Sequence, residues 1–106
     1  MDDAQVVRSL GALAQEHRLK VFRALVVAGP QGLTPGVLSE RLSLSPAGMS
    51  FHLKELLNAG LISQTRDGRH LVYRADFAAM NGLVGYLTEN CCGGNPDACK
   101  VPDKKC

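Results

Sequence analysis

The chain has 106 residues, of which 45% are hydrophobic. This composition suits one small globular domain and is too apolar for an intrinsically disordered protein. The formal net charge of +2 does not identify a nucleic-acid-binding protein, because the position of the charges matters more than their sum. No apolar run reaches the roughly 18 residues of a membrane span, and the acidic start, MDDAQVVRSL, is unlike a signal peptide. We therefore expect a cytoplasmic protein with no membrane partner.

Hydrophobic periodicity predicts three helices in the first part of the chain. The first covers Ala4 to Leu13, and the second runs from about His17 to Val27, where Gly29-Pro30 ends it. The third, Pro35 to Leu42, begins after Thr34, a residue suited to capping a helix whose first position is proline.

A fourth helix is predicted from Pro46 to Asn58, with Ser45 as its cap and Gly60 after its end. Two short helices joined by a tight polar turn are typical of a helix-turn-helix, in which the second helix reads DNA. The third and fourth helices fit this description.

The segment after the fourth helix predicts a β-hairpin and a last helix. Leu61 to Arg66 and His70 to Ala75 are strand-like, and Asp67-Gly68 is a turn signal between them. The last helix runs from Asp76 to about Glu89. The fold class is therefore mainly α with a small hairpin: a winged helix-turn-helix of five helices and a two-stranded wing. Residues 1–90 form the predicted DNA-binding and dimerisation domain, and 91–106 a cysteine-rich tail.

The fourth helix has a core face and a face suited to DNA. At about 100° per residue, Met49, Leu53, Leu56 and Leu57 fall on the core face. Nine residues of this helix and the hairpin are candidate DNA contacts: Ser45, Ala47, Gly48, Ser50, Phe51, His52, Lys54, Arg66 and Arg69.

Each type of candidate contact suits a part of the DNA. Small residues near the start of the fourth helix allow close approach, Ser50 suits a phosphate or base edge, and Lys54 suits a phosphate. Phe51 is suited to a thymine methyl group. The basic hairpin, which also carries His70 and Arg74, would reach the flanking backbone or minor groove. The alternatives are an ordinary surface helix and a solvated hairpin whose charges protect its edges.

His52 lies at the border of the core face, between Met49 and Leu56. Packing within the helix layer or contact with a phosphate is favoured over a role as metal ligand. His17, at the entry of the second helix, is predicted to be structural.

Three segments together resemble the ArsR/SmtB family of bacterial metal-responsive winged-helix repressors over about residues 6–89. They are LGALAQEHRLKVFRAL, LSLSPAGMSFHLKELLNAGLI and DGRHLVYR. The resemblance implies a homodimer in which the first and last helices form the interface, bound to a pseudo-palindromic operator and released by an inducer. Phe51 departs from the family, which usually has a polar or basic residue there.

All four cysteines lie in the tail: Cys91, Cys92, Cys99 and Cys106. In a reducing cytoplasm, clustered cysteines indicate metal binding or redox chemistry rather than a disulfide scaffold. Other sensor positions of the family lack ligands here, because the third helix has no cysteine and the last helix no histidine.

The spacing of the tail predicts a three-thiol site. Gly93-Gly94 and Asn95-Pro96 permit a tight reversal that brings Cys99 back to Cys91 and Cys92. Soft thiolates select thiophilic ions, and As(III) and Sb(III) prefer three sulfurs whereas zinc prefers four ligands. Some family members also have arsenic sites of this kind near the C-terminus. We therefore predict a repressor induced by As(III) or Sb(III), and no enzyme.

Four other interpretations of the tail stay open. Cys106 would complete a four-cysteine site for zinc or cadmium, and Cys91 with Cys92 alone would suit a monomethylated arsenical. A thiol redox switch would join Cys99 to one of the pair. The last interpretation is a disordered tail on a constitutive architectural DNA-binding module.

Overall fold

A computed structural model describes residues 1–94. Within them the chain forms α1 (Asp3–Leu13), α2 (Glu16–Ala28), α3 (Pro35–Leu42), α4 (Pro46–Asn58), β1 (Ile62–Asp67), β2 (His70–Ala75) and α5 (Phe77–Thr88). Short 3₁₀ turns occupy Gly29–Gln31 and Cys91–Gly94. Five helices and an antiparallel pair of strands in this order confirm the predicted winged helix-turn-helix.

Side-chain caps set the starts of the last three helices. The Thr34 hydroxyl accepts a hydrogen bond from the Val37 amide at 3.3 Å, and the Ser45 hydroxyl accepts one from the Gly48 amide at 3.1 Å. Both caps confirm the sequence prediction, and both helices have proline near the first position. Asp76, predicted as the first residue of the last helix, instead caps α5.

The turn between α3 and α4 contains a residue in the left-handed region. Ser43 ends α3 with φ of 55°, a conformation that is uncommon outside glycine. The Leu44 amide then donates to the Ser39 carbonyl at 3.1 Å, which closes the end of α3. This turn sets α4 at its angle to α3.

The core lies between α2, α3, α4 and the hairpin. Its buried members are Val21, Phe22, Leu25, Leu38, Met49, Leu53, Leu56, Leu61, Ile62, Tyr73 and Ala75. On α4, Met49, Leu53 and Leu56 are buried as predicted, while Leu57 is half-buried. The opposite face of α4 is thereby left to solvent.

The hairpin pairs Ile62 with Ala75 at its base and Asp67 with His70 at its tip. Its two-residue loop is therefore Gly68-Arg69 rather than the predicted Asp67-Gly68. Gly68 has φ of 62°, as the first central position of a type II′ turn requires. Arg69 consequently stands at the tip of the wing.

A third segment joins the hairpin. Leu33 and Tyr73 exchange backbone hydrogen bonds of 2.9 and 2.8 Å. Gly32, with φ of 66°, lies so close that an added Cβ would be 2.4 Å from the Tyr73 carbonyl oxygen. Tyr73 lies in a predicted strand, but Gly32 and Leu33 were not predicted to join the sheet.

α1 and α5 pack side by side but leave much of their apolar surface outside. Val6 and Leu83 are buried, whereas Val84 is 43% and Leu87 57% exposed. The Tyr86 hydroxyl donates a hydrogen bond to the Asp3 carboxylate and so ties the end of α5 to the start of α1. Within residues 1–94, no helix is both long and apolar enough to cross a bilayer.

Candidate functional site

The solvent face of α4 presents the short and polar side chains predicted to meet DNA. Ala47, Ser50 and Lys54 are exposed, and Phe51 is 55% exposed. Met49, Leu53 and Leu56 on the core side of the same helix are buried, so α4 is fixed by packing on one face. A rigid helix with an open face meets the geometric requirement for insertion into a major groove, which is about 12 Å wide.

Two of the candidate contacts also build the helix. The Ser45 hydroxyl is used as an acceptor for the Gly48 amide, and a Cβ at position 48 would lie 3.1 Å from that hydroxyl. Ser45 is exposed and Gly48 half-buried. The two residues thus fix the start of α4, whatever they contact outside.

His52 lies in a different environment from the other candidates. Its side chain is only 9% exposed, and its ring centroid is 5.7 Å from those of both His17 and Phe51. Burial is the main cause that lowers the pKa of His52 below its ordinary value, and the nearby positive charges of Arg18 and His17 act in the same direction. This burial favours the packing alternative over direct contact with a phosphate. The ring of His17 packs against His52, as its predicted structural role requires.

The wing arginines divide into two kinds. Arg66 on β1 and Arg69 at the tip are exposed. Arg74 instead donates from Nε to the Pro30 carbonyl at 2.7 Å and from Nη1 to the Thr65 hydroxyl at 2.5 Å. Arg74 therefore holds the wing to the body. From the sequence, Arg74 was grouped with the other basic wing residues, because its diagonal placement beside Thr65 depends on the observed register of the hairpin.

Within residues 1–94, no carboxylate pairs with the exposed cations of α4 and the wing. Across residues 1–94, one side-chain ion pair forms, between Lys20 and Glu16 at 3.2 Å. Lys54, Arg66 and Arg69 take no part in it. Their charges are therefore open to phosphate groups, which supply most of the non-specific affinity for DNA.

The cysteines begin just after α5. The helix ends at Thr88 with Glu89 as its C-cap, in agreement with the predicted end at about Glu89, and Cys91 and Cys92 lie in a separate 3₁₀ turn. Asn90 has φ of 55°, and the two glycines of the turn also have positive φ. Cys91 is exposed, whereas the predicted ligand Cys99 and the alternative ligand Cys106 lie outside the described residues.

No metal-binding group is complete in the described part of the chain. Up to residue 94, no three side chains of His, Cys, Asp or Glu lie close enough to hold one ion. The predicted site also requires Cys99, which lies outside the described residues.

Comparison with known proteins identifies the family. Residues 13–65, half of the chain, match the helix-turn-helix domain. The chain belongs to this family. It is 28% identical to an ArsR-like transcriptional regulator from Rhodococcus sp. RHA1, with a TM-score of 0.71 over 79% of this chain and 76% of that one.

Two curated relatives have different described roles. The transcriptional activator HlyU of Vibrio cholerae is 29% identical over 89% of this chain and 84% of its own length. A putative arsenical resistance operon repressor, ArsR, from Halobacterium salinarum is 35% identical over 69% of this chain and 60% of its own length. The chain is thus a transcriptional regulator of the ArsR and HlyU type, with a DNA-binding helix-turn-helix.

Proposed function

We propose that this chain is a homodimeric repressor that leaves its operator when As(III) or Sb(III) binds Cys91, Cys92 and Cys99. The observation that carries the proposal is the position of the cysteine turn. It begins three residues after Thr88, at the end of a helix whose apolar surface remains exposed. A ligand bound there would act on the helix that joins two copies.

The DNA-binding part of the proposal is based on the open face of α4 and the tip of the wing. Ser50 and Lys54 would contact base edges or phosphates, and Arg66 and Arg69 the flanking backbone. A two-fold dimer presents two such surfaces about 34 Å apart, the spacing of one DNA turn. The operator would therefore be pseudo-palindromic.

The dimer part of the proposal is based on α1 and α5. Val7 is 68%, Leu10 41%, Val84 43% and Leu87 57% exposed. Surfaces of this kind on two adjacent helices are typical of an interface. Burying them against a second copy would give the first and last helices, α1 and α5, the role that the family resemblance implies.

The inducer is inferred from ligand chemistry. Thiolates are soft ligands and select thiophilic ions. Arsenite, As(OH)₃, would form three As–S bonds with three thiols and release three waters, so the net charge of the protein would not change. The relative from Halobacterium salinarum that is described as an arsenical resistance repressor adds support.

Because charge would not change, release must come from geometry. The end of α5 is tied to α1 by the hydrogen bond from Tyr86 to Asp3. A ligand that joins Cys99 to the turn after α5 would shift this helix pair and with it the spacing of the two α4 helices. A coupling of about 2–3 kcal/mol would lower DNA affinity by roughly 30–150-fold.

A titration on DNA tests the proposal. The reduced full chain is bound to its own promoter fragment, and arsenite, antimonite, zinc and hydrogen peroxide are added separately. We expect arsenite or antimonite to release the wild type, and Cys91→Ser, Cys92→Ser and Cys99→Ser each to resist. Cys106→Ser is the matched control and should respond as the wild type does.

Other outcomes would change the assignment. Release by zinc that requires Cys106 would indicate a four-thiol metal site, and release by peroxide alone would indicate a redox switch. A reporter gene gives the sign of regulation, which matters because the relative HlyU is described as an activator. If the chain is a repressor, deleting its gene should raise reporter expression. A fall in expression would contradict repression.

A further inference from the structure

Phe51 stands out among the exposed apolar residues. Most of the others lie on α1 and α5, where a second copy would cover them, but Phe51 is on α4 and is 55% exposed. The remaining large apolar residues of α4 are buried or half-buried. A large aromatic ring on the open face of a DNA-reading helix requires a separate explanation.

The ring of Phe51 packs against a buried aromatic ring. It meets the buried His52 ring edge-on, with centroids 5.7 Å apart and an interplanar angle of 63°. His52 in turn packs against His17 of α2. Edge-to-face pairs of this kind are favourable, so the Phe51 ring is held in place by the α2–α4 layer.

The surroundings of Phe51 match the edge of a base pair better than a protein surface. Ala47 lies one helical turn before Phe51, so the two form an apolar strip. Ser50 and Lys54, also one turn apart, form a polar strip beside it, and all four residues are exposed. In the major groove, the thymine methyl is the apolar group beside polar base edges and phosphates.

We propose that Phe51 reads the C5-methyl group of a thymine in each operator half-site. The inference rests on the proposed function, because it requires α4 to lie in the major groove. It makes Phe51 a specificity-determining residue. Burial of one methyl group contributes about 0.8 kcal/mol, which corresponds to roughly fourfold in affinity and about fifteenfold for two half-sites.

The experiment removes only the methyl group. A binding site is first selected from random DNA duplexes with the full-length chain and located by footprinting. Each thymine of one half-site is then replaced by deoxyuridine, and afterwards its symmetry mate as well. We expect one position at which affinity falls about fourfold per half-site.

Variants at position 51 assign that effect to the ring. Phe51→Ala should bind thymine and deoxyuridine sites equally at that position, while Phe51→Leu should keep part of the difference. Val27→Ala is the matched control, because Val27 is 77% exposed on α2, and it should keep the full wild-type ratio.

Three results would overturn the inference. Equal binding of every deoxyuridine site by the wild type would show that no methyl is read. A wild-type ratio in Phe51→Ala would assign the effect to another residue. A chain that selects no duplex would remove the DNA-binding function itself, and that failure is distinguishable from the other two.

Discussion

The body of the molecule and the α1–α5 pair use apolar residues differently. In the body, made of α2, α3, α4 and the hairpin, Leu25, Leu38 and Leu56 are fully buried. In the pair, some apolar residues are buried and others face outward: Val6 and Leu83 are buried, but Leu87 is 57% exposed. The body therefore completes its core within one chain, whereas the pair presents an apolar surface that the rest of residues 1–94 leaves uncovered.

The largest expected effect is a loss of dimer association when a charge is placed in the exposed apolar surface of α1 and α5. Leu87→Glu places a charge where a second copy should pack. Dimerisation can bury only the exposed 57% of Leu87, which is worth about 1–2 kcal/mol, but burying the introduced carboxylate costs several kcal/mol more. Two-fold symmetry counts both terms twice, so the loss of association should be the largest effect. Sedimentation equilibrium should show a dimer for the wild type and a monomer for the variant.

A matched control distinguishes a charge placed in the α1–α5 surface from a charge placed at any exposed apolar residue. Val27 is 77% exposed on α2, so the Val27→Glu variant should sediment with the molecular mass of a dimer, as the wild type should. If Leu87→Glu sediments like the wild type, α5 is not the interface.

The next largest effect lies in the body. Leu53 is 1% exposed on α4, and Leu53→Ala should lower the free energy of unfolding by about 2–5 kcal/mol because it leaves a cavity. The measurement is urea unfolding in the Leu87→Glu background, where association does not contribute. Leu19→Ala, at a residue that is 46% exposed, should cost much less, and equal costs would contradict the division between body and surface.

The body was the part most accessible to sequence reasoning, because its signals are local. Thr34 and Ser45 are caps followed by proline, and both start helices where predicted. The buried face of α4 followed from helical spacing alone. Local signals failed at the Leu33–Tyr73 bridge, since pairing between residues 40 positions apart leaves no periodic pattern in a short segment.

The candidate site was accessible only in part. Spacing put Phe51 and Lys54 on the open face of α4, but it put His52 at the border, and only packing against His17 resolves that residue as buried. Arg74 looked like the other wing arginines until its contacts with Pro30 and Thr65 were seen. A sequence shows which residues are charged, whereas tertiary structure determines which groups they bind.

A smaller effect concerns the start of α4, where the buried face and the open face of the helix begin together. Ser45→Ala removes the cap and should cost about 1 kcal/mol of stability. Ser45→Asp can keep the cap, so it should restore stability, but its negative charge should weaken DNA binding through repulsion by phosphate. Urea unfolding and DNA affinity measured on both variants check this, and parallel changes in the two quantities would mean that Ser45 acts only through folding.

The smallest expected effect is a pH dependence, because it comes from one imidazole at the boundary between the two faces of α4. Burial lowers the pKa of His52 below its ordinary value of 6.5, and Arg18 and His17 add to the shift. The unfolded chain therefore binds this proton at a higher pH than the folded chain does, so stability is full above about pH 6.5 and falls as the pH drops below it. His52→Gln cannot titrate, and its unfolding free energy should decline less than that of the wild type between about pH 7.5 and 5.5, whatever the offset between the two curves. Equal slopes would mean that the His52 proton does not contribute to the pH dependence of stability.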